Sequence, residues 1–121
     1  MTTTQNERNV FIALYDSLKP HKDCHDPLLN QSEYIGRYAT QEQFDIYQYG
    51  ISPAVLQGGN TSIRVDIYAI TPEELEQLDE YEKYPMIHDR FHTEIPGFGM
   101  AWLYVMSEGY ASLAGVYQNP R

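Results

Sequence analysis

A carboxylate sits on the apolar stripe of the clearest helix in this sequence. Thr71 can cap a helix N-terminus, Pro72 suits the first helical position, and Glu74 stands three residues after the cap. The spacing predicts a helix from there to Glu82 or Lys83, ended by Pro85. At ~100° per residue, Leu75 and Leu78 make a narrow apolar stripe, and Glu82 falls within about 40° of both. An ionised carboxylate is costly to bury unless it is paired or put to use. Glu73, Glu76, Glu80 and Lys83 read as solvent-face charges, so Glu82 is the leading candidate for a functional residue. Two readings compete for it. It is either a pocket carboxylate or a half-exposed group at a fraying helix end, satisfied by Arg90 or a tyrosine hydroxyl.

A second constellation is His21, Cys24 and His25, with Asp23 and Asp26 beside them. A metal site needs three or four convergent ligands. The remaining histidines, His88 and His92, lie on a distant predicted strand, so no second half with ligand spacing exists. The cluster reads as a polar loop. No metal and no cofactor are expected.

Chemistry at Glu82 needs a fold to shield it. The chain has 121 residues, 42% hydrophobic and 21% charged, which suits a single folded domain with one core. The net charge of −9, from 17 acidic against 8 basic residues, argues against a nucleic-acid surface and an anionic membrane surface. Eleven tyrosines fit strands with one wet edge and pocket walls. The single Cys24 rules out an internal disulfide framework. The first residues carry no apolar signal region, and no apolar run reaches the ~20 residues a membrane span needs. A soluble, reducing, cytoplasmic setting is the expectation.

Along the chain, residues 1 to 8 read as a loose tail, and Asn9 to Leu14 as a strand buried on both faces. Lys19 to Pro27 is a surface loop. Glu33 to Thr40, Phe44 to Tyr49, Ser62 to Ile70, His88 to Ile95 and Ala101 to Met106 read as strands. Gly50 to Ala54 breaks the pattern, and turns fall at Gly58-Gly59-Asn60 and Pro96-Gly97-Phe98-Gly99. Residues 107–121 carry weak signals. This predicts an α+β fold: a small, mixed, barrel-like sheet of about six strands with one main helix.

The order of these parts resembles the gamma-glutamylcyclotransferase-like, or AIG2-like, family. Val10 to Leu18 is similar to that family's opening strand and Y-G-S-L loop. His25-Asp26-Pro27-Leu28-Leu29 with Ile35-Gly36 resembles the segment that follows. Ser62 to Ile70 leading into Thr71-Pro72 resembles its strand–helix unit. Leu78-Asp79-Glu80-Tyr81-Glu82-Lys83-Tyr84-Pro85, with Arg90 and Ala101-Trp102-Leu103-Tyr104-Val105, resembles its L-D-x-x-E-G-Y-P signature and last hairpin. The resemblance implies that Glu82 is an acid/base. It implies an intramolecular aminolysis in which the α-amino group of a γ-glutamyl donor attacks its own γ-carbonyl, giving 5-oxoproline and a free amine. One carboxylate shielded from water can serve both proton transfers. It also implies a substrate site of Tyr15, Asp16, Ser17 and Leu18, with Arg90 and Tyr104, around a small γ-glutamyl-type ligand. Trp102 reads as packing.

Several positions depart from the pattern, among them Lys19-Pro20 where the family has a basic residue and glycine, and the arginine pair of which only Arg90 remains. Asp16 stands where the family has the loop glycine, Lys83 where it has the glycine after the glutamate, and His88 where it has a tyrosine before its arginine pair. A negative Asp16 would repel a substrate carboxylate. The alternative expectation is therefore an inactive family member that binds or sequesters a small ligand or a protein.

Overall fold

The structure, a computed structural model, describes residues 8–15, 32–50 and 52–118. The Asp16–Leu18 loop, the His21, Cys24 and His25 cluster and nearly all of the expected N-terminal tail lie outside those residues. The strands are β1 (Val10–Leu14), β2 (Glu33–Ala39), β3 (Phe44–Tyr49), β4 (Ser52–Gln57), β5 (Arg64–Ile70), β6 (His88–Ile95) and β7 (Gly99–Met106). The main helix α1 (Pro72–Tyr81) joins β5 to β6, and a short α2 (Glu108–Leu113) with a 3-10 turn (Val116–Gln118) follows β7.

Five strands form one sheet in the order β2-β5-β1-β7-β6, and β3 and β4 form a separate two-stranded ribbon. The sheet is mixed, because β1 runs antiparallel to β5 and parallel to β7. The α+β architecture with one main helix is as expected. Two details differ. The strands number seven among the described residues, and the sheet is open, not closed into a barrel.

The missed strand is β4. Ala54, Val55 and Leu56 are all buried, so β4 shows no polar–apolar alternation. Val55 faces the core between sheet and ribbon, whereas Ala54 and Leu56 join Met106, Ala111 and Val116 beneath α2 and the 3-10 turn. Pro53 also speaks against a strand, yet a two-stranded ribbon has an unpaired edge that accepts one. The weakly patterned tail forms α2, capped where the Tyr110 N–H donates to Ser107 Oγ at 3.2 Å.

Strand alternation gives the large sheet two apolar faces. Ala13, Val65, Ile67, Leu103 and Val105 pack with Phe44 and Val55 of the ribbon. On the opposite face, Ile12, Tyr68, Ile70 and Tyr104 pack under Leu78 of α1, with Leu75 at the margin. Leu78 is fully buried, and its burial contributes roughly 1.5–3 kcal/mol. The helix N-terminus carries a complete capping box. The Glu74 N–H donates to Thr71 Oγ1 (3.1 Å), and the Thr71 N–H donates to Glu74 Oε1 (2.8 Å). Among the described residues no helix is long and apolar enough to cross a membrane.

Candidate active site

The C-terminal end of α1 lies over one end of the large sheet. Strand registers place Arg90 opposite Tyr104, Leu14 opposite Asp66, and Asp66 opposite Arg37. Ile12 pairs with Trp102 and Ala13 with Leu103, so the same parallel register carried one residue further brings Leu14 beside Tyr104. A row of side chains thus crosses all five strands at the end where β1 leaves the sheet. Tyr15 is the first residue beyond that row.

Helix α1 ends in a Schellman motif. The Tyr84 N–H donates to the Asp79 carbonyl at 2.8 Å and the Lys83 N–H to the Glu80 carbonyl at 3.2 Å. Glu82 is the C-cap residue, and Lys83 takes the left-handed position with φ 59°. The family-like pattern has glycine there, and the torsion explains why: only glycine adopts it without crowding Cβ. The Tyr84–Pro85 peptide that follows is cis.

Two carboxylates therefore leave the last turn of α1 with different surroundings. Asp79 is held by Arg90, through Nε at 2.7 Å and Nη2 at 2.8 Å, and by the Tyr104 hydroxyl at 2.7 Å. Burial pushes its pKa up, but the Arg90 and Tyr104 hydrogen bonds and the guanidinium charge outweigh that and hold it below the usual carboxylate range. The Arg90 guanidinium lies over the rings of Tyr84 (4.7 Å) and Trp102 (4.5 Å), and Trp102 stacks with His92 at 4.6 Å. Tyr104 is buried. Burial, then its hydrogen bond to Asp79, then the charges of Asp79 and Glu82 push the phenol pKa far up, so it stays protonated.

Glu82 stands one helical turn beyond Asp79, with its side chain 24% exposed. Its Oε1 lies 3.6 Å from His88 Nδ1, and its carbonyl oxygen lies 2.9 Å from the same nitrogen. Arg90, one of the partners anticipated for Glu82, is held by Asp79, and the Tyr104 hydroxyl also donates to Asp79. The end of α1 thus presents a locked ion pair beside a carboxylate shielded on most sides. The first is held by three side-chain hydrogen bonds, and the second lies beside the His88 ring.

The structure brings Glu82, Arg90 and Tyr104 together. Tyr15 begins the candidate loop at the same end of the sheet, but its ring packs against the ribbon-side core, on the face opposite α1. Asp16, Ser17 and Leu18 lie outside the described residues. Trp102 packs against the α1-side cluster and stacks on His92 and Arg90. Sequence reasoning passed over Asp79 and His88 as site residues. Asp79 was within reach of the periodicity that singled out Glu82. It lies about 40° from Leu75 on the helix wheel, at the margin of the same stripe. The approach of His88 depends on the turn between α1 and β6 and has no local signal. Among the described residues no group of three or more His, Cys, Asp or Glu side chains is arranged to hold a metal ion.

A family profile described as "Gamma-glutamyl cyclotransferase, AIG2-like" matches residues 12–119. A Vibrio cholerae protein provisionally named a gamma-glutamylcyclotransferase is 29% identical over 97 residues, 80% of this chain and 82% of that protein. A Methanocaldococcus jannaschii protein, also provisionally named a gamma-glutamylcyclotransferase, is 29% identical over 118 residues, 92% of this chain and 98% of its own. The crystal structure of a mouse AIG2-like protein superposes with a TM-score of 0.71 at 23% identity, covering 87% of this chain and 81% of that one.

Proposed function

The chain belongs to the gamma-glutamyl cyclotransferase, AIG2-like family, and from that premise we propose that it converts a γ-glutamyl amine or γ-glutamyl amino acid into 5-oxoproline and a free amine. The observation that carries the reading is the placement of Glu82. Its side chain is only 24% exposed at the C-terminal end of α1, the same end that carries the Asp79–Arg90–Tyr104 cluster.

In this mechanism the α-amino nitrogen of the substrate attacks its own γ-carbonyl carbon. A C–N bond forms and closes the ring. Glu82 accepts the proton released by the attacking nitrogen. The bond from the γ-carbon to the departing nitrogen then breaks, and Glu82 returns the proton to that nitrogen. Tyr104 commits its hydrogen to Asp79, so toward the substrate it offers an oxygen lone pair, suited to a substrate ammonium. Arg90 has Nε and Nη2 on Asp79, and Nη1 is the group proposed to meet a substrate carboxylate. Tyr15, Asp16, Ser17 and Leu18 complete the site in this reading. Main-chain N–H groups there take the carboxylate or the carbonyl oxygen, and the contribution of Tyr15 is through its backbone. A cytoplasmic setting and a small-molecule ligand belong to the same proposal. The single Cys24 and the net charge of −9 support a reducing environment and speak against nucleic acid as a partner.

Asp16, standing where the family pattern has glycine, favours a second reading: a member that binds a ligand without turning it over. One assay separates the two. The protein is incubated with a panel of γ-glutamyl amines and amino acids, and 5-oxoproline is measured. Release by the wild type that is lost in Glu82→Gln supports the enzyme. Silence in both wild type and Asp16→Gly leaves ligand binding, and turnover by Asp16→Gly alone identifies a decayed site.

A further inference from the structure

His88 opens β6 and folds its ring back onto the end of α1. Ring Nδ1 lies 2.9 Å from the Glu82 carbonyl oxygen. A carbonyl oxygen only accepts hydrogen bonds, so this contact requires a hydrogen on Nδ1. The Glu82 carboxylate oxygen Oε1 is 3.6 Å from the same nitrogen, so the ring edge also lies against the side chain. The main chain of His88 is anchored to the same turn, because the Lys83 carbonyl accepts from the Ile87 N–H at 2.9 Å and from the His88 N–H at 3.5 Å. The ring is 23% exposed, enough cover to hold one orientation.

Glu82 needs such a support. It is the C-cap residue, where helix ends fray, and a glutamate has several rotatable bonds to order. The residue after it adopts a left-handed torsion that a lysine side chain disfavours. Leu78, Asp79 and Glu80 supply backbone acceptors to this turn, and each of those bonds fixes main-chain donors only. The His88 contact reaches the Glu82 carbonyl itself. Among the described residues, the Asp79–Arg90 pair and Tyr104 from β7 also lie at this corner.

We infer that His88 is a positioning residue for Glu82: its ring Nδ1–H donates to the Glu82 carbonyl and fixes the direction in which the carboxylate leaves the helix. The inference deepens the reading of Glu82 as proton carrier and rests on it. The aromatic rings of Trp102 and Tyr84 hold Arg90 in the same corner.

Two measurements test it. In protein labelled with 15N-histidine, the His88 resonances, assigned by their loss in His88→Asn, should show a protonated Nδ1. The Nε2–H tautomer overturns the inference whether or not the protein has activity. In the cyclisation assay, His88→Ala should lower kcat by about tenfold or more with KM unchanged within about twofold. His88→Asn places an amide N–H where Nδ1–H lies and should recover most of the loss. Equal kcat in wild type and His88→Ala removes the positioning role while Glu82 keeps its own, tested by Glu82→Gln. No turnover by the wild type removes both together. Circular dichroism of the two variants checks that each is folded.

Discussion

The Tyr104 hydroxyl hydrogen bonds to Asp79 Oδ1 at 2.7 Å, across the interface between α1 and the sheet. Both groups are shielded from water, and Asp79 is the acceptor that Tyr104 shares with Arg90. Tyr104→Phe keeps the ring and removes the donor. It should destabilise the protein by about 2 kcal/mol, the usual worth of a hydrogen bond to a charged group. Urea unfolding is the check: the midpoint falls and the slope stays the same.

The same carboxylate gives the protein an acid limit. Burial raises the Asp79 pKa, but Arg90 and Tyr104 lower it more, and the folded value lies below the unfolded one. Its stabilising contribution is therefore complete above the unfolded carboxylate pKa and is lost as pH falls through the depressed folded value. Asp79→Asn should be less stable than wild type at neutral pH. The difference between the two should narrow steadily below about pH 4. Thermal melts of both proteins from neutral pH down to the acid range show this directly, and a constant difference would rule it out.

Lys83 occupies a left-handed position, φ 59°, at the end of α1. Lys83→Gly should raise stability by about 1 kcal/mol, because glycine takes that torsion without strain. Lys83→Val should do the reverse, since a β-branched side chain crowds further. Melting temperatures decide it, and a glycine variant that melts earlier than wild type would mean that the Lys83 side chain supplies more than the torsion costs.

Glu82→Gln preserves shape and removes the proton acceptor. In the proposed reaction it should lower turnover by about 10²–10⁴, the range of general acid–base catalysis. Glutamine keeps the shape of this partly exposed side chain, so the melting temperature should change little. A large loss of stability with unchanged turnover would instead make Glu82 a structural carboxylate.

Legibility followed locality. Strands β3 and β6 have the predicted bounds because each alternates and ends at a turn. Strand β4 was hidden because Ala54, Val55 and Leu56 are buried on two faces by partners distant in sequence. Glu82 was legible because a charge on an apolar stripe is a contradiction within one helix. Asp79 offered the same contradiction at the stripe's margin, yet its explanation lies in Arg90 and Tyr104, which come from two other elements. The contact between His88 and Glu82 was hidden for a similar reason, since the turn that joins them sets it.

The placement of β1 has a temporal consequence. Its two neighbours are β5 and β7, and Ile12 pairs with Trp102 across roughly ninety residues of chain. During synthesis the first strand therefore emerges long before either flank can join it. Its apolar residues, Ile12 and Ala13 among them, gain their full cover only when the last hairpin joins. Pairing across such a distance makes sheet closure slow and nearly all-or-none. The corner holding Glu82 can only assemble in that final step, because Tyr104 arrives on the same strand that completes the sheet.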